Sequence, residues 1–137
     1  MEYSPGLRGV IAGETAISTV GKEGTSLRYR GYDATELTSN NTYEEVASLI
    51  LTDSIEDKNF KKSFSKYYLE TTKDTKLNEL LGEIKEKLHP MDVVRTIVSY
   101  KGELTTLRKK SLDKEDKTEL SARITACLLY TSDAADE

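Results

Sequence analysis

Histidine, cysteine and arginine are the residue types here whose positions could support chemistry. His89 lies in the segment LHPMDVVRT, directly before a proline that favours the first turn of a helix. Its ring could cap or pack at that helix N-terminus, where the helix dipole disfavours the imidazolium form, or it could act as a general base or ligand. Cys127 has no CxxC partner, so a catalytic pair with His89 would require the fold to bring the two together. With one histidine in the chain, we expect no histidine-based metal site.

Two arginines, Arg28 and Arg30, lie two positions apart in the segment LRYRGYD. On a strand, this spacing places both side chains on the same face, where paired guanidinium groups could bind a phosphate or a carboxylate. A solvated strand face is the simpler alternative. The nearby run GKEG, residues 21–24, lacks the spacing of a phosphate-binding loop and predicts a hairpin turn instead.

The elements that would position these residues change in type along the chain. β-favouring residues on both sides of GKEG, with Leu27 and Tyr29 alternating with the two arginines, predict two strands of a hairpin, at 10–20 and 26–31. After Gly31 the period becomes helical, and Asp33 can cap a short helix through Leu37.

Amphipathic helices are predicted for most of the remaining chain. Thr42 and Glu45 have the spacing of a capping box. The apolar faces comprise Val46, Leu49 and Ile50; Phe60, Phe64, Tyr67 and Tyr68; Leu77, Leu80, Leu81, Ile84 and Leu88; and Met91, Val94, Ile97 and Val98. The charge-dense segment 109–120 predicts a solvated connection to a last helix that has almost nothing after it to pack against. The predicted fold class is mostly α, a β-hairpin followed by five or six amphipathic helices.

Composition limits the classes of function. The 137 residues are 36% hydrophobic and 32% charged, with a net charge of −4 and no basic cluster. These values are typical of a soluble globular protein that binds neither nucleic acid nor membrane. No apolar run is long enough to span a bilayer, and the first residues do not have the pattern of a signal peptide. We therefore expect a cytoplasmic protein.

Three sequence blocks identify a family resemblance. They are GETAISTVGKEGTSLRYRGYD at 13–33, YEEVASLIL at 43–51 and HPMDVVR at 89–95. Their order and spacing resemble the N-terminal part of the citrate synthase family, most closely the prokaryotic branch that includes 2-methylcitrate synthases. The agreement spans residues 6 to about 126. The resemblance implies part of a mostly helical large domain and, in the full-length protein, a homodimer.

The resemblance also implies a reaction. Family members join an acyl-CoA, such as acetyl-CoA or propionyl-CoA, to oxaloacetate and then hydrolyse the thioester, with no metal and no cofactor beyond the acyl-CoA substrate. Two histidines and an aspartate perform the acid–base steps. Those catalytic residues belong to segments beyond this chain, and His89 matches neither histidine.

Two candidate substrate-binding residues follow from the same resemblance. Arg30 matches a family arginine near the CoA and dimer surfaces. Lys58 lies where many relatives have the arginine of an L-P-T-R motif, because Ile55-Glu56-Asp57-Lys58 aligns there. Lysine keeps the charge of that arginine but loses its bidentate geometry, which weakens the expected contact.

The last eleven residues, CLLYTSDAADE at 127–137, do not continue the resemblance. They resemble the translation of a transposon-end sequencing adapter at every position. The alternative is a natural frayed acidic terminus. We interpret 1–126 as an incomplete large domain and 127–137 as an artefact.

These interpretations lead to two hypotheses for function. The first is an N-terminal fragment of a citrate or 2-methylcitrate synthase that is inactive by itself. The second is a stand-alone helical binding or scaffold module without catalysis. The sequence of the source DNA after codon 126 would distinguish a continuing synthase frame from a true stop.

Overall fold

A small antiparallel sheet and six α-helices form the described part of the chain. The computed structural model describes residues 11, 13–20, 26–103 and 112–136. The strands are β1 (Ser18–Thr19), β2 (Arg28–Tyr29) and β3 (Tyr32–Asp33). The helices are α1 (Ala34–Asn40), α2 (Tyr43–Thr52), α3 (Lys58–Thr72), α4 (Thr75–Ile84), α5 (Pro90–Glu103) and α6 (Lys114–Asp136). The predicted fold class, mostly α with a β-hairpin at the start, is confirmed.

The sheet is shorter than predicted and has an additional strand. Its order is β1-β2-β3, with both neighbouring pairs antiparallel. A continuous strand over 26–31 is wrong, because the chain reverses at Arg30 and Gly31. Their φ angles are +49° and +88°, and two consecutive positive φ values are typical of a two-residue type I′ hairpin loop. The predicted turn at 21–24 lies outside the described residues.

The first four helices each begin at a capping side chain. The capping residues are Asp33, Thr42, Asp57 and Asp74. At α2 the predicted capping box is confirmed: the Glu45 amide donates to Thr42 Oγ1 at 3.3 Å, and the Thr42 amide donates to Glu45 Oε2 at 3.0 Å. These caps satisfy amide groups that have no partner within the helix, so the first turns form where the sequence places them.

The Glu45 carboxylate also connects α2 to α3. Lys61 Nζ lies 3.2 Å from Glu45 Oε1 and 3.2 Å from Glu56 Oε2, and Asn41 Nδ2 donates to Glu45 Oε2 at 3.3 Å. The Thr42 amide, then Lys61 and Asn41, lower the pKa of Glu45 from 4.5 to about 2. The folded chain therefore holds this carboxylate ionised under conditions in which the unfolded chain would protonate it.

This difference predicts a pH-dependent contribution to stability. The ionised Glu45 side chain stabilises the folded chain fully above an unfolded pKa of about 4.5, and the contribution is lost as the pH falls towards 2. Glu45→Gln keeps a capping side chain and removes the charge. We expect its thermal midpoint to lie below that of the wild type at pH 7, and the gap to shrink at pH 2.5.

A matched control is Glu56→Gln, which removes the exposed carboxylate on Lys61 and leaves the capping box intact. An exposed ion pair contributes at most about 1 kcal/mol, so this variant should remain close to the wild type across the same pH range. An equal gap for Glu45→Gln at pH 7 and pH 2.5 would contradict the role of the Glu45 charge.

Helix α6 packs against α3 in one buried cluster and against α5 in another. One buried cluster joins Ala47, Phe60, Phe64, Ala122 and Ala126. A second joins Leu77, Leu81, Val93, Ile97 and Cys127. Because α6 contributes to both clusters, it packs against helices that precede it in the chain. Its 23 residues are long enough to contact α3 along one face and α5 along another.

Three local predictions differ from the structure. Leu88 follows the end of α4 and is 42% exposed, so it is not part of that helix face. Met91 is 67% exposed while Val93 is fully buried, because a helix that begins at Pro90 turns positions 93 and 97 towards the core. Part of the predicted connection 109–120 is helical, since α6 begins at Lys114.

Within the described residues, no helix combines the length and apolar character that a membrane span requires.

Candidate functional site

Arg30, the first candidate, joins the β2–β3 turn to the C-terminus of α2. Its Nη2 donates to the Ile50 carbonyl at 3.1 Å, and its Nε lies 3.6 Å from Asp53 Oδ1. The Ile50 carbonyl belongs to the last turn of α2, where carbonyls lack partners within the helix and the dipole favours a cation. The structure therefore gives Arg30 a capping contact across twenty residues of sequence. Its predicted substrate contact stays a prediction.

The interpretation of Arg28 and Arg30 as a pair on one strand face is wrong. Arg28 lies in β2, whereas Arg30 lies in the turn, so the two-residue alternation stops between them. Arg28 Nη1 is 3.3 Å from the Gly31 carbonyl, while Arg30 reaches α2. The two guanidinium groups thus have separate partners.

Lys58, the second candidate, is the first residue of α3 and its side chain is exposed. The positive end of the helix dipole lies at this terminus, so a lysine here gains nothing from the dipole. Arg30 and Lys58 lie at opposite ends of the α2–α3 connection, residues 53–57. Of the contacts that the structure describes, none joins one side chain to the other. The predicted role of Lys58 stays a prediction.

The substitution Arg30→Asn tests two contributions of Arg30 to stability, its positive φ in the turn and its hydrogen bond to the end of α2. Asparagine adopts positive φ more readily than arginine, which should recover under 1 kcal/mol or so in the turn. The lost charged hydrogen bond to Ile50 contributes about 1.5–3 kcal/mol. We therefore expect a net loss of about 1–2 kcal/mol in the free energy of unfolding, measured by urea denaturation.

Asp53→Asn is the control for this variant. It keeps a residue that accepts the φ of +67° at position 53 and removes only the carboxylate, which is 72% exposed. Its expected change is below about 1 kcal/mol. If Arg30→Asn were as stable as the wild type, the capping role of Arg30 would be refuted.

His89 caps α5. Its Nδ1 accepts the Met91 amide at 3.2 Å, and its carbonyl accepts the amides of Asp92 and Val93. The capping interpretation of His89 is therefore confirmed. In this arrangement Nδ1 serves as an acceptor for the backbone.

Cys127 lies in the second buried cluster, away from His89. It faces the same cavity as Lys101, which follows His89 by twelve residues, about 18 Å along α5. Burial raises the pKa of the Cys127 thiol. The separation from His89 means that the fold does not assemble a Cys127–His89 pair, and a thiol kept protonated by burial is in any case a poor nucleophile.

A concave cleft lies between α3, α5 and α6. It encloses about 290 Å³ and is lined by Tyr67, Glu70, Thr71, Val98, Lys101, Gly102, Leu120, Arg123, Ile124 and Cys127. Sequence reasoning did not find this cleft, because it joins segments separated by about thirty and fifty residues and no local pattern marks it. The cleft combines an apolar lining with a few polar groups, as small-molecule sites do.

Polar contacts fix two corners of this cleft. Lys101 Nζ donates to Asp74 Oδ2 at 2.9 Å, which holds the end of α5 against the start of α4 and lowers the pKa of Asp74. The Tyr67 hydroxyl donates to Glu119, and burial followed by this carboxylate raises the pKa of Tyr67 to about 12. At neutral pH the Asp74 carboxylate is therefore ionised and the Tyr67 hydroxyl is protonated, which suits groups with a structural role.

Comparison with known proteins reveals the family. The family described as "Citrate synthase, C-terminal domain" matches residues 6–136. This chain belongs to the citrate synthase family. The predicted resemblance is thereby confirmed, and the helical architecture described above agrees with it.

Curated relatives of the family have both of the expected names. A 2-methylcitrate synthase of Shewanella oneidensis is 38% identical over 129 residues, which covers 91% of this chain and 34% of the relative. A citrate synthase of Mycolicibacterium smegmatis is 36% identical over 97 residues, 71% of this chain and 26% of the relative. A citrate/2-methylcitrate synthase of Bacillus subtilis is 35% identical over 98 residues. The chain thus spans about a third or less of these citrate synthase relatives.

Proposed function

We propose that this protein is part of an enzyme that condenses an acyl-CoA with oxaloacetate and hydrolyses the thioester to a tricarboxylate and CoA. The family match over residues 6–136 carries the proposal. The names of the relatives support two products, citrate from acetyl-CoA and 2-methylcitrate from propionyl-CoA. We further propose a homodimer in the cytoplasm for the full-length protein.

We propose that the 137-residue chain alone is inactive and contributes scaffold to the large domain. The family reaction uses two histidines and an aspartate in positioned acid–base roles. This chain has one histidine, and its Nδ1 is bonded to the start of α5. A single histidine that caps a helix supplies neither of the two roles.

Lys58 and Arg30 are the proposed contributions of this chain to substrate binding. Lys58 has an exposed ammonium at the start of α3, which suits a carboxylate or phosphate oxygen. Arg30 has its Nη2 on the Ile50 carbonyl, so any further contact would use its remaining donors. We therefore expect Lys58 to affect substrate affinity and Arg30 to act mainly on stability.

An activity assay on two proteins tests this function. The 137-residue chain is mixed with oxaloacetate and either acetyl-CoA or propionyl-CoA, and loss of thioester absorbance is followed. We expect no turnover above the rate without protein. A thioester readout is preferable to thiol reagents, because Cys127 itself contains a free thiol.

The second protein is a chimera that joins residues 1–126 to the remaining two thirds of the Shewanella oneidensis relative. We expect it to catalyse the condensation, and Lys58→Ala within it to raise KM while leaving kcat unchanged. Turnover by the 137-residue chain alone would contradict its proposed inactivity. A folded chimera without activity would contradict the enzymatic role and favour the scaffold hypothesis.

A further inference from the structure

The α3–α5–α6 cleft has an apolar interior supplied mainly by residues before position 127. Val98, Leu120 and Ile124 supply its aliphatic surface, and Ile124 is 42% exposed there. Every lining residue except Cys127 precedes position 127. A volume of about 290 Å³ lies near the lower end of small-molecule pockets, about 300–1,000 Å³.

One cation in this cleft has no carboxylate partner among the described residues. The Arg123 guanidinium lies 5.4 Å from the centroid of the Tyr67 ring and forms no ion pair with Glu70, the carboxylate on the α3 wall. Lys101 differs, since its ammonium is bonded to Asp74. The guanidinium of Arg123 therefore lies against the face of the Tyr67 ring, and its N–H groups can donate to another acceptor.

The charged groups that act on the Cys127 thiol are cations, while the cleft lining also contains the Glu70 carboxylate. Burial is the main influence on the pKa of the Cys127 thiol, and the two charged groups that act on it are the cations Lys101 and Arg123. Asp74 offsets the charge of Lys101, so an anion at this position would gain chiefly from Arg123.

We propose that this cleft binds a small amphipathic anion, an aliphatic carboxylate whose chain lies against Val98, Leu120 and Ile124 and whose head bonds to Arg123. A carboxylate matches the paired donors of one guanidinium, while a phosphate ester or a nucleotide would require more cations than the cleft provides. A protein partner fits less well, because a stable interface needs about 800 Å² from each side. This inference is independent of the proposed condensation reaction.

Calorimetric titration of the 137-residue chain with three probes tests the two parts of the site. Octanoate has both the chain and the charge, 1-octanol has the chain alone, and acetate has the charge alone. We expect octanoate to bind at least about tenfold more tightly than either of the others, since a charged hydrogen bond contributes about 1.5–3 kcal/mol.

Two variants and a control locate the binding. Arg123→Gln should weaken octanoate about tenfold and leave 1-octanol unchanged. Gly102→Leu should abolish binding of both, because a Cβ at position 102 meets no atom within 4 Å and the leucine can occupy the cleft. Arg95→Gln, which changes a 78% exposed arginine on α5 outside the lining residues, should leave both affinities unchanged.

Several outcomes would overturn the proposal. The proposal is wrong if the folded chain does not bind octanoate, if octanoate and 1-octanol bind with equal affinity, or if Gly102→Leu leaves octanoate binding unchanged. An octanoate affinity that falls as the protein concentration rises would also overturn it, since a second copy would then occupy the cleft. If Arg123→Gln fails to fold, Gly102→Leu decides the location, because it removes no contact and favours the helix.

Discussion

Phe60→Ala is expected to lower the free energy of unfolding by about 3–5 kcal/mol. The Phe60 ring is fully buried, and its centroid lies 6.1 Å from that of Phe64. It belongs to the cluster in which α2, α3 and α6 meet, together with Ala47 and Ala122. Since its neighbours there include small alanines, little can move into the cavity that the substitution leaves, and the cost should approach the upper end of this range.

Urea denaturation followed by circular dichroism measures this effect. The matched control is Leu69→Ala, in the same helix, where the leucine is 53% exposed. We expect that variant to lose less than about 1 kcal/mol, since an exposed side chain leaves no cavity. A loss below about 1 kcal/mol for Phe60→Ala would show that the α2–α3–α6 cluster does not hold the fold together.

Truncation after Ala126 is the second change for which we expect a large effect. It removes the buried side chains of Cys127 and Thr131, and it removes Tyr130. The Tyr130 hydroxyl donates to Asn78 Oδ1 at 2.8 Å, and its ring meets the ring of Tyr68 edge-on at 6.2 Å. Each buried side chain of this size contributes about 1.5–3 kcal/mol, against a total stability of about 5–15 kcal/mol for a domain.

We therefore expect the truncated chain to lose at least about 3 kcal/mol and to melt about 10 °C or more below the 137-residue chain. A chain that ends at Ala134 is the control, because it keeps Cys127, Tyr130 and Thr131 and should retain nearly full stability. Equal melting of the 126-residue and 137-residue chains would show that the last turns of α6 do not stabilise the core.

This second prediction is separate from the origin of the last residues. The adapter interpretation concerns where CLLYTSDAADE comes from and stays a prediction that the source DNA decides. In the structure, residues of this segment extend α6 and pack into the second cluster. A segment of foreign origin can contribute to packing when its apolar residues fall on the buried face of a helix that is already formed.

The helices that the sequence predicts depend on neighbours within four residues. The capping box of Thr42 and Glu45, the cap at Asp33 and the helix start at Pro90 are all local, so the residues alone specify them. The family blocks are equally visible in the sequence. The predicted helix end at Leu88 and the predicted buried face at Met91 differ from the structure, because a run of apolar residues does not show where a helix ends or which turn faces inward.

The candidate site, by contrast, depends on contacts between segments that are far apart in the chain. The family resemblance points to Lys58 and Arg30, yet the partner of Arg30 is a carbonyl twenty residues away, and the turn that directs Arg30 there interrupts a predicted strand. The cleft at Arg123 requires three helices to assemble. Periodicity identifies which side of a helix is apolar, but the choice of the facing helix depends on packing across the whole core.

The sequence by itself therefore determined the family, the helical class and the helix starts, since each is encoded by residues that are close together in the chain. Only the tertiary structure decided that α6 would join two clusters, that Arg30 would cap α2 and that a cleft with Arg123 against the Tyr67 ring would form among the described helices. These features arise from contacts between distant segments, and their geometry is fixed by how side chains of particular volume fit together.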